Sequence, residues 1–312
     1  MSDLPAEFAL IARHFRPLAG PGALDLGDDA AVVAPPPGRE LVIAADAMVA
    51  GVHFLPDDPP DLIGRKLLRT NLSDLAAMGA EPFGYLMTVS VPRGTPDGWF
   101  AGFAAGLDAD QREFGIALLG GDTTSTPGPV SLSLTVLGHV APGAALRRVG
   151  AQPGHALYVS GTIGDAALGL LALRGEVADA DGVLADRYRL PRPRLALGRR
   201  LHGIAAACMD VSDGLVQDAG HLCRAGGLGC TILAAELPLS AAARRVGRLE
   251  TCLTGGDDYE LLFAVPPERE AALADAPVTR IGHFHAGPAR VAVLGPDGAP
   301  MPLAGGGWSH FG

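Results

Sequence analysis

Residues 61–79 read DLIGRKLLRTNLSDLAAMG. Ile63, Leu67 and Leu68 recur at helical spacing, Leu67, Asn71, Asp74 and Met78 trace a neighbouring stripe, and Gly79 is a good C-cap, so the stretch is expected to form an amphipathic helix. Apolar runs rich in β-branched residues flank it at Leu41–Ala45, Tyr85–Val91, Ile116–Leu119 and Ser131–Val140, with a second helix-like stretch over 96–114. Strands alternating with helices make this an α/β half. The segment 141–155, APGAALRRVGAQPGH, lacks periodicity and reads as a linker, which divides the chain into domains 1–145 and 146–312. The second half is also α/β. It opens on Leu157-Tyr-Val-Ser-Gly161-Thr-Ile-Gly164-Asp165 and AALGLLALRG, which read as strand, tight turn and helix. That turn could hold phosphate on backbone N–H groups. It has neither the GxGxxG spacing nor a GKS or GKT ending, so it is taken as a domain entry. Residues 174–194, polar and with prolines at 191 and 193, are expected to be a loop.

Composition narrows the function. The formal charge is −10, with 24 Asp against 10 Glu and 23 Arg against one lysine, Lys66. A polybasic surface for nucleic acid or lipid is not expected at this balance. No run of about 18 apolar residues occurs, and the N-terminus carries Asp3 and Glu7 where a signal peptide carries positive charge. The chain is therefore expected to be soluble and cytoplasmic, without nucleic-acid or membrane partners. Cys208, Cys223, Cys230 and Cys252 form no CxxC pair and read as buried free thiols.

The aspartates fall into punctuated motifs: Gly27-Asp28-Asp29, Ala45-Asp46, Ser73-Asp74, Gly120-Gly121-Asp122-Thr123-Thr124 and Asp210-Val-Ser212-Asp213-Gly214. Each stands beside glycine, a strand end or a capping residue. Any one of them alone is ordinary turn or cap chemistry. Together they suggest hard oxygen ligands for Mg²⁺, and with it phosphate chemistry, because a nucleoside triphosphate would otherwise be repelled by so many acids. The usual phosphate motifs are missing. Lys66 lies in a helix pattern, so there is no Walker A site, and neither HRD nor DFG occurs.

GDDAAV at 27–32, D-x-x-V-A-G-V-H-F at 46–54, NLSDLAAMGAEP at 71–82, LLGGDTT at 118–124, MDVSDGL at 209–215 and TGGDDYEL at 254–261 together resemble the thiamine-monophosphate kinase family. That family belongs to the aminoimidazole ribonucleotide synthetase superfamily. The match runs in order from about residue 6 to Trp308-Ser-His-Phe311. The resemblance implies a two-domain α/β (α+β) subunit and a homodimer formed through the N-terminal domains. It also implies an ATP site holding several Mg²⁺ ions, and transfer of phosphate from ATP to thiamine monophosphate. By motif, Asp29, Asp46, Asp74, Asp122, Asp210 and Asp213 correspond to metal ligands. Phe114, Gly121, Asp122, Arg148 and Ser212 correspond to ATP contacts, and His53, Glu260 and Trp308 to the thiamine-phosphate side. No general base or covalent nucleophile is expected.

Plainer roles exist for several of these. His53 could be a satisfied strand-end histidine, Trp308 a packing anchor and Glu260 a local pair. His283 and His285 share a strand face but lack a third ligand. The pattern also departs from the family at Ala44-Ala45, where a Ser or Thr commonly precedes the aspartate of the second motif. Aminoimidazole ribonucleotide synthetase itself is the alternative enzyme, and a non-catalytic metal or nucleotide sensor the alternative class.

Overall fold

The computed structural model describes residues 6–308. The chain separates into two compact units. The first runs to Leu75 and resumes over Ala80–Gly143; the second takes Ala76–Gly79 and the described residues from Ala144 onward.

The first unit is a four-stranded sheet in the order β1-β4-β2-β3, with β1 Glu40–Val49, β2 Glu81–Pro92, β3 Leu118–Thr126 and β4 Ser131–Val140. β4 runs antiparallel to both neighbours, and β3 pairs parallel to β2. β4 alternates strictly between half-buried and buried residues, the signature of a sheet with one covered face. Two helices, Pro60–Ala77 and Asp97–Phe114, accompany the sheet. Leu67, Leu68, Leu72, Phe103 and Leu107 are buried with the strand residues Met87, Val89, Leu132, Leu134 and Val136. Gly64 and Gly106 let the two helices touch main chain to main chain: a Cβ on Gly64 would stand 2.5 Å from the Phe103 carbonyl, and one on Gly106 would collide with Asp61. The other sheet face is open. Leu41, Ile43 and Leu86 are all exposed, Ile43 to 61%, and the register sets Ile43 beside Leu137.

Charge is buried between these helices. Arg69 donates to both carboxylate oxygens of Asp110, at 2.7 and 2.9 Å, and to Glu113 at 2.7 Å, while Arg65 also reaches Asp110 at 2.9 Å. Neither Arg69 nor Asp110 is solvated, so the pair holds only because donors and acceptors are matched.

The second unit is a six-stranded sheet ordered β10-β7-β9-β5-β8-β6. Its strands are β5 Ala156–Ser160, β6 Ala207–Asp210, β7 Gly229–Leu233, β8 Leu261–Val265, β9 Val278–His285 and β10 Val291–Leu294. The Leu215–Gly226 helix contributes Leu215, Ala219, Leu222 and Cys223 to one core with these strands. A smaller core gathers Leu168, Leu184, Ala242, Ala243 and Cys252 from short helices. All four cysteines are buried and unpaired. The segment expected to be a loop contains a helix, Val183–Arg189, which buries Leu184, Arg187 and Tyr188. Leu184 and Tyr188 are an i,i+4 apolar pair whose signal was hidden by the charges around them. No helix among the described residues is long and apolar enough to cross a membrane.

Replacing Arg69 with Met should leave Asp110 with Arg65 alone and cost about 3 kcal/mol of unfolding free energy. Urea denaturation of Arg69→Met and of the Arg69→Met/Asp110→Leu double variant checks this, since the double variant should recover much of the loss.

Candidate active site

In the first unit the chain enters Gly27-Asp28-Asp29 from a tight turn in which Leu24, Asp25 and Leu26 all take left-handed backbone angles, φ 52, 56 and 53°. Three consecutive non-glycine residues in that region are strained, and such strain concentrates at functional sites. The loop closes on itself through Val32 N–H to the Gly22 carbonyl at 2.8 Å. It forms one wall of a 480 Å³ cavity whose other wall is β3. Asp28, Asp29 and Asp122 are acidic residues of its lining, and Phe15, Leu86, Leu118 and Leu137 are apolar ones. Gly121 (φ 152°) also lines it, and a side chain there would collide with the Met87 carbonyl, so bare main chain is the only surface it can offer. Asp29, Gly121 and Asp122 are thus brought together.

Asp46 and Asp74 do not line this cavity. Register places Asp46 in a row with Leu134, Met87 and Gly121, one residue out of phase with Asp122, so the two aspartates belong to opposite sheet faces. Asp46 is held by the Pro60–Ala77 helix, because its N–H donates to Asn71 Oδ1 at 3.2 Å while Asn71 Nδ2 donates to the Leu67 carbonyl at 2.9 Å. Asp74 lies one turn further on the same helix, half-buried. The helix also anchors His53. Lys66, only 2% exposed, donates to the His53 carbonyl at 2.8 Å, and His53 Nδ1 accepts the Val49 N–H at 3.0 Å, so the proton of the neutral ring sits on Nε2. Phe114 is half-buried under the Arg69 guanidinium, 5.2 Å from the ring centroid, and does not line the cavity.

In the second unit Asp210 ends β6 and leads into the turn Val211–Gly214. One oxygen of Asp218 gathers three N–H groups of that turn, from Ser212, Asp213 and Gly214, at 3.0, 3.1 and 3.2 Å. Burial and the neighbouring Asp210 charge push the Asp218 carboxyl up to about 7, against the pull of those N–H groups. Asp213, Asp218 and His221 are the one trio of acidic, His or Cys side chains among the described residues whose ligand atoms lie within 4.8 Å of each other. The segment Thr254–Glu260 packs directly on this turn. Asp257 N–H donates to the Ser212 carbonyl and Tyr259 N–H to that of Val211, at 2.9 and 2.8 Å, with Asp257 and Tyr259 both left-handed (φ 70 and 51°).

Glu260 is fully buried, and Ser160, Arg187 and Arg194 take up its carboxylate. Burial works against the charge of Arg194, and the Glu260 carboxylate overrides it and lifts the guanidinium pKa. Asp258, also fully buried, accepts the N–H groups of Gly164 at 2.7 Å and Ala166 at 3.3 Å. In the Gly161–Asp165 turn the N–H groups of Gly161, Ile163 and Gly164 already serve the Pro277 and Pro238 carbonyls and Asp258, as a structural domain entry would have it. Ser212 is half-buried, Arg148 is exposed, and Trp308 is 52% exposed with its N–H on the Asp213 carbonyl at 2.9 Å. His283 and His285 lie 6.1 Å apart by ring centroids and belong to no such trio. Sequence reasoning missed the supporting residues Asn71, Lys66, Arg187, Arg194 and Asp218. The repeated aspartate in DVSDGLVQD was the signal for Asp218; Arg187 and Arg194 stood in the segment read as loop.

Residues 27–140 match the family described as AIR synthase related protein, N-terminal domain, and residues 152–293 match its C-terminal domain. A thiamine-monophosphate kinase of Caulobacter vibrioides is 47% identical over 98% of this chain and 91% of its own. The crystal structure of the thiamine-monophosphate kinase from Stenotrophomonas maltophilia K279a superposes with a TM-score of 0.83 at 41% identity, covering 95% of this chain and 98% of that one. A protein designated AaThiL, solved in complex with AMPPCP and TMP, gives a TM-score of 0.79 at 31% identity over 91% of both chains.

Burial lifts the Asp258 carboxyl to about 8, outweighing the Gly164 N–H and the Arg187 charge that favour ionisation. The unfolded chain gives up this proton first as pH rises, near the ordinary aspartate value of about 4. The stability contributed by the neutral acid is thus complete below about pH 4 and drains away up to about pH 8. Urea titrations at several pH values should show the wild type losing stability relative to Asp258→Asn across that window; parallel curves would contradict the assignment.

Proposed function

The chain belongs to the thiamine-monophosphate kinase family, within the AIR synthase related proteins, and from that membership we propose that it transfers the terminal phosphoryl group of ATP to thiamine monophosphate, giving thiamine diphosphate and ADP. Near-full-length identity to a thiamine-monophosphate kinase carries this reading. The pairing of AMPPCP with TMP in AaThiL supports an ATP-type donor and this acceptor.

The apolar lining of the first-unit cavity suits the adenine base better than Phe114, which already packs against Arg69. In the first unit Gly121 offers bare main chain to phosphate oxygens; in the second, Ser212 offers a hydroxyl and the exposed Arg148 guanidinium a fork of donors. Asp29 and Asp122 at the first-unit cavity would hold Mg²⁺, which when bound neutralises the polyphosphate. Asp46 and Asp74, held by the Pro60–Ala77 helix, and, in the second unit, Asp210 and Asp213 are the further carboxylates we assign as metal ligands. The short, exposed carboxylates of Asp28, Asp29 and Asp122 around one cavity are donors of the hard type such ions require. On the acceptor side we place His53, half-buried just past the end of β1, and Trp308, which offers an aromatic surface. Glu260 acts through Arg187 and Arg194, whose charges it orders.

The acceptor phosphate has a second pKa of about 6, so it arrives largely dianionic at neutral pH and needs no general base. The task of the protein is to align two polyanions and screen their charge. Transfer is direct and in line. The four unpaired cysteines support a reducing, cytoplasmic setting.

ADP release should depend on thiamine monophosphate and on Mg²⁺, and formylglycinamidine ribonucleotide should not substitute. Transfer from a chiral γ-phosphate should invert configuration, and net retention would mean a phosphoenzyme.

We also assign the open sheet face at β1, where Leu41 and Ile43 are exposed outside the cavity, to a homodimer contact, because exposed apolar side chains on one sheet face seek a partner surface. Sedimentation should find the wild type dimeric and Ile43→Asp monomeric at micromolar concentration.

A further inference from the structure

Trp308 follows three consecutive glycines, Gly305–Gly307, a stretch with no conformational preference strong enough to hold it in place. The segment is nevertheless tied down at several points. Met301 and Leu303 pack against the larger core of the second unit, and Ala304 N–H donates to Glu250 Oε1 at 2.8 Å. Trp308 N–H then meets the Asp213 carbonyl, and one side chain completes the attachment. Gln217 Nε2 donates to the Trp308 carbonyl at 2.6 Å and to Asp213 Oδ2 at 3.1 Å. Gly307 makes this approach possible, since a Cβ there would stand 2.6 Å from both the Asp213 carbonyl and the Gln217 Cβ. The backbone of Trp308 is fixed while about half of its surface stays open.

We propose that Gln217 is a positioning residue for the acceptor: its amide ties the Asp213 carboxylate to the Trp308 backbone and so sets where the indole meets thiamine monophosphate. This rests on the reading of Trp308 given above. An amide is the group the position calls for, because one nitrogen carries two hydrogens and two acceptors must be joined. A carboxylate there would repel Asp213, and an apolar side chain would remove both amide hydrogen bonds.

The chain has two tryptophans, Trp99 and Trp308, and Trp99 packs on Phe100 and Phe103 in the first unit, neither of them assigned to the reaction. Trp99→Phe therefore leaves Trp308 as the only indole emitter. In that background Gln217→Met, close in size but without donors, should lower the anisotropy of Trp308 and increase its acrylamide quenching about twofold in the ligand-free protein. It should raise KM for thiamine monophosphate about tenfold, by a larger factor than KM for ATP. Gln217→Glu should do at least as much, and Gln217→Arg, which restores donors, should recover most of both signals. Unchanged anisotropy in Gln217→Met overturns the proposal. So does reduced anisotropy with an unchanged KM, provided Trp308→Ala still raises KM for thiamine monophosphate. If Trp308→Ala leaves that KM unchanged as well, the acceptor role of Trp308 has failed instead, and the proposal falls with it.

Discussion

The second unit depends on how closely two turns can approach. A Cβ on Gly214 would stand 2.5 Å from the Thr254 carbonyl, and one on Gly256 would collide with the Ser212 carbonyl. Only glycine at both places lets Val211–Gly214 and Thr254–Glu260 lie main chain to main chain, joined by the N–H groups of Asp257 and Tyr259. That contact forces Asp257 and Tyr259 into the left-handed region. The segment consequently turns Asp258 and Glu260 inward, where both are fully buried. Backbone strain of order 1–3 kcal/mol per residue persists only where the surroundings over-determine it. Here the buried ion pairs of Glu260 and the N–H groups captured by Asp258 do so.

The same device recurs through the chain: a polar side chain is buried to organise main chain, and a different one is presented. Asp218 gathers three N–H groups behind the turn that carries Asp210 and Asp213. Asn71 binds the N–H of Asp46, and Lys66 binds the carbonyl of His53. In each case the supporting group is buried and the presented group less so, except at Asp210, which is itself buried. A buried group with its partners matched is geometrically stiff, and stiffness is what a positioning task requires.

The elements with strong periodicity were legible. The helix read at 61–79 is Pro60–Ala77 followed by the Gly79 cap, and the run at Ser131–Val140 is β4 itself. The run at Ile116–Leu119 points to β3 but not to its reach through Thr126, because Gly-Gly-Asp-Thr-Thr carries no apolar alternation. The Val183–Arg189 helix was hidden because it is two turns long and its buried side includes an arginine. The motif aspartates were visible as a set, but their division between two sheet faces was not. That division follows from register, and a one-residue offset reverses a side chain without altering a motif. Glu260 shows the limit from the other side: its motif marked it as important, and only the fold shows that its carboxylate is consumed by Ser160, Arg187 and Arg194.

Burial also sorts the acidic excess. Asp110, Asp218, Asp258 and Glu260 are buried and committed to arginines or backbone N–H groups, so they add little to the field that an approaching polyanion meets. Asp28, Asp29, Asp46 and Asp122 are exposed and stand at glycine-rich or strand positions. A nucleotide entering the cavity meets Asp28, Asp29 and Asp122 together, and the single lysine does not line that cavity, its ammonium being buried on the His53 carbonyl. Phosphate binding at such a surface needs counter-charge brought in from solution, with arginine to assist. The scarcity of lysine and the exposure of short carboxylates are two sides of one requirement.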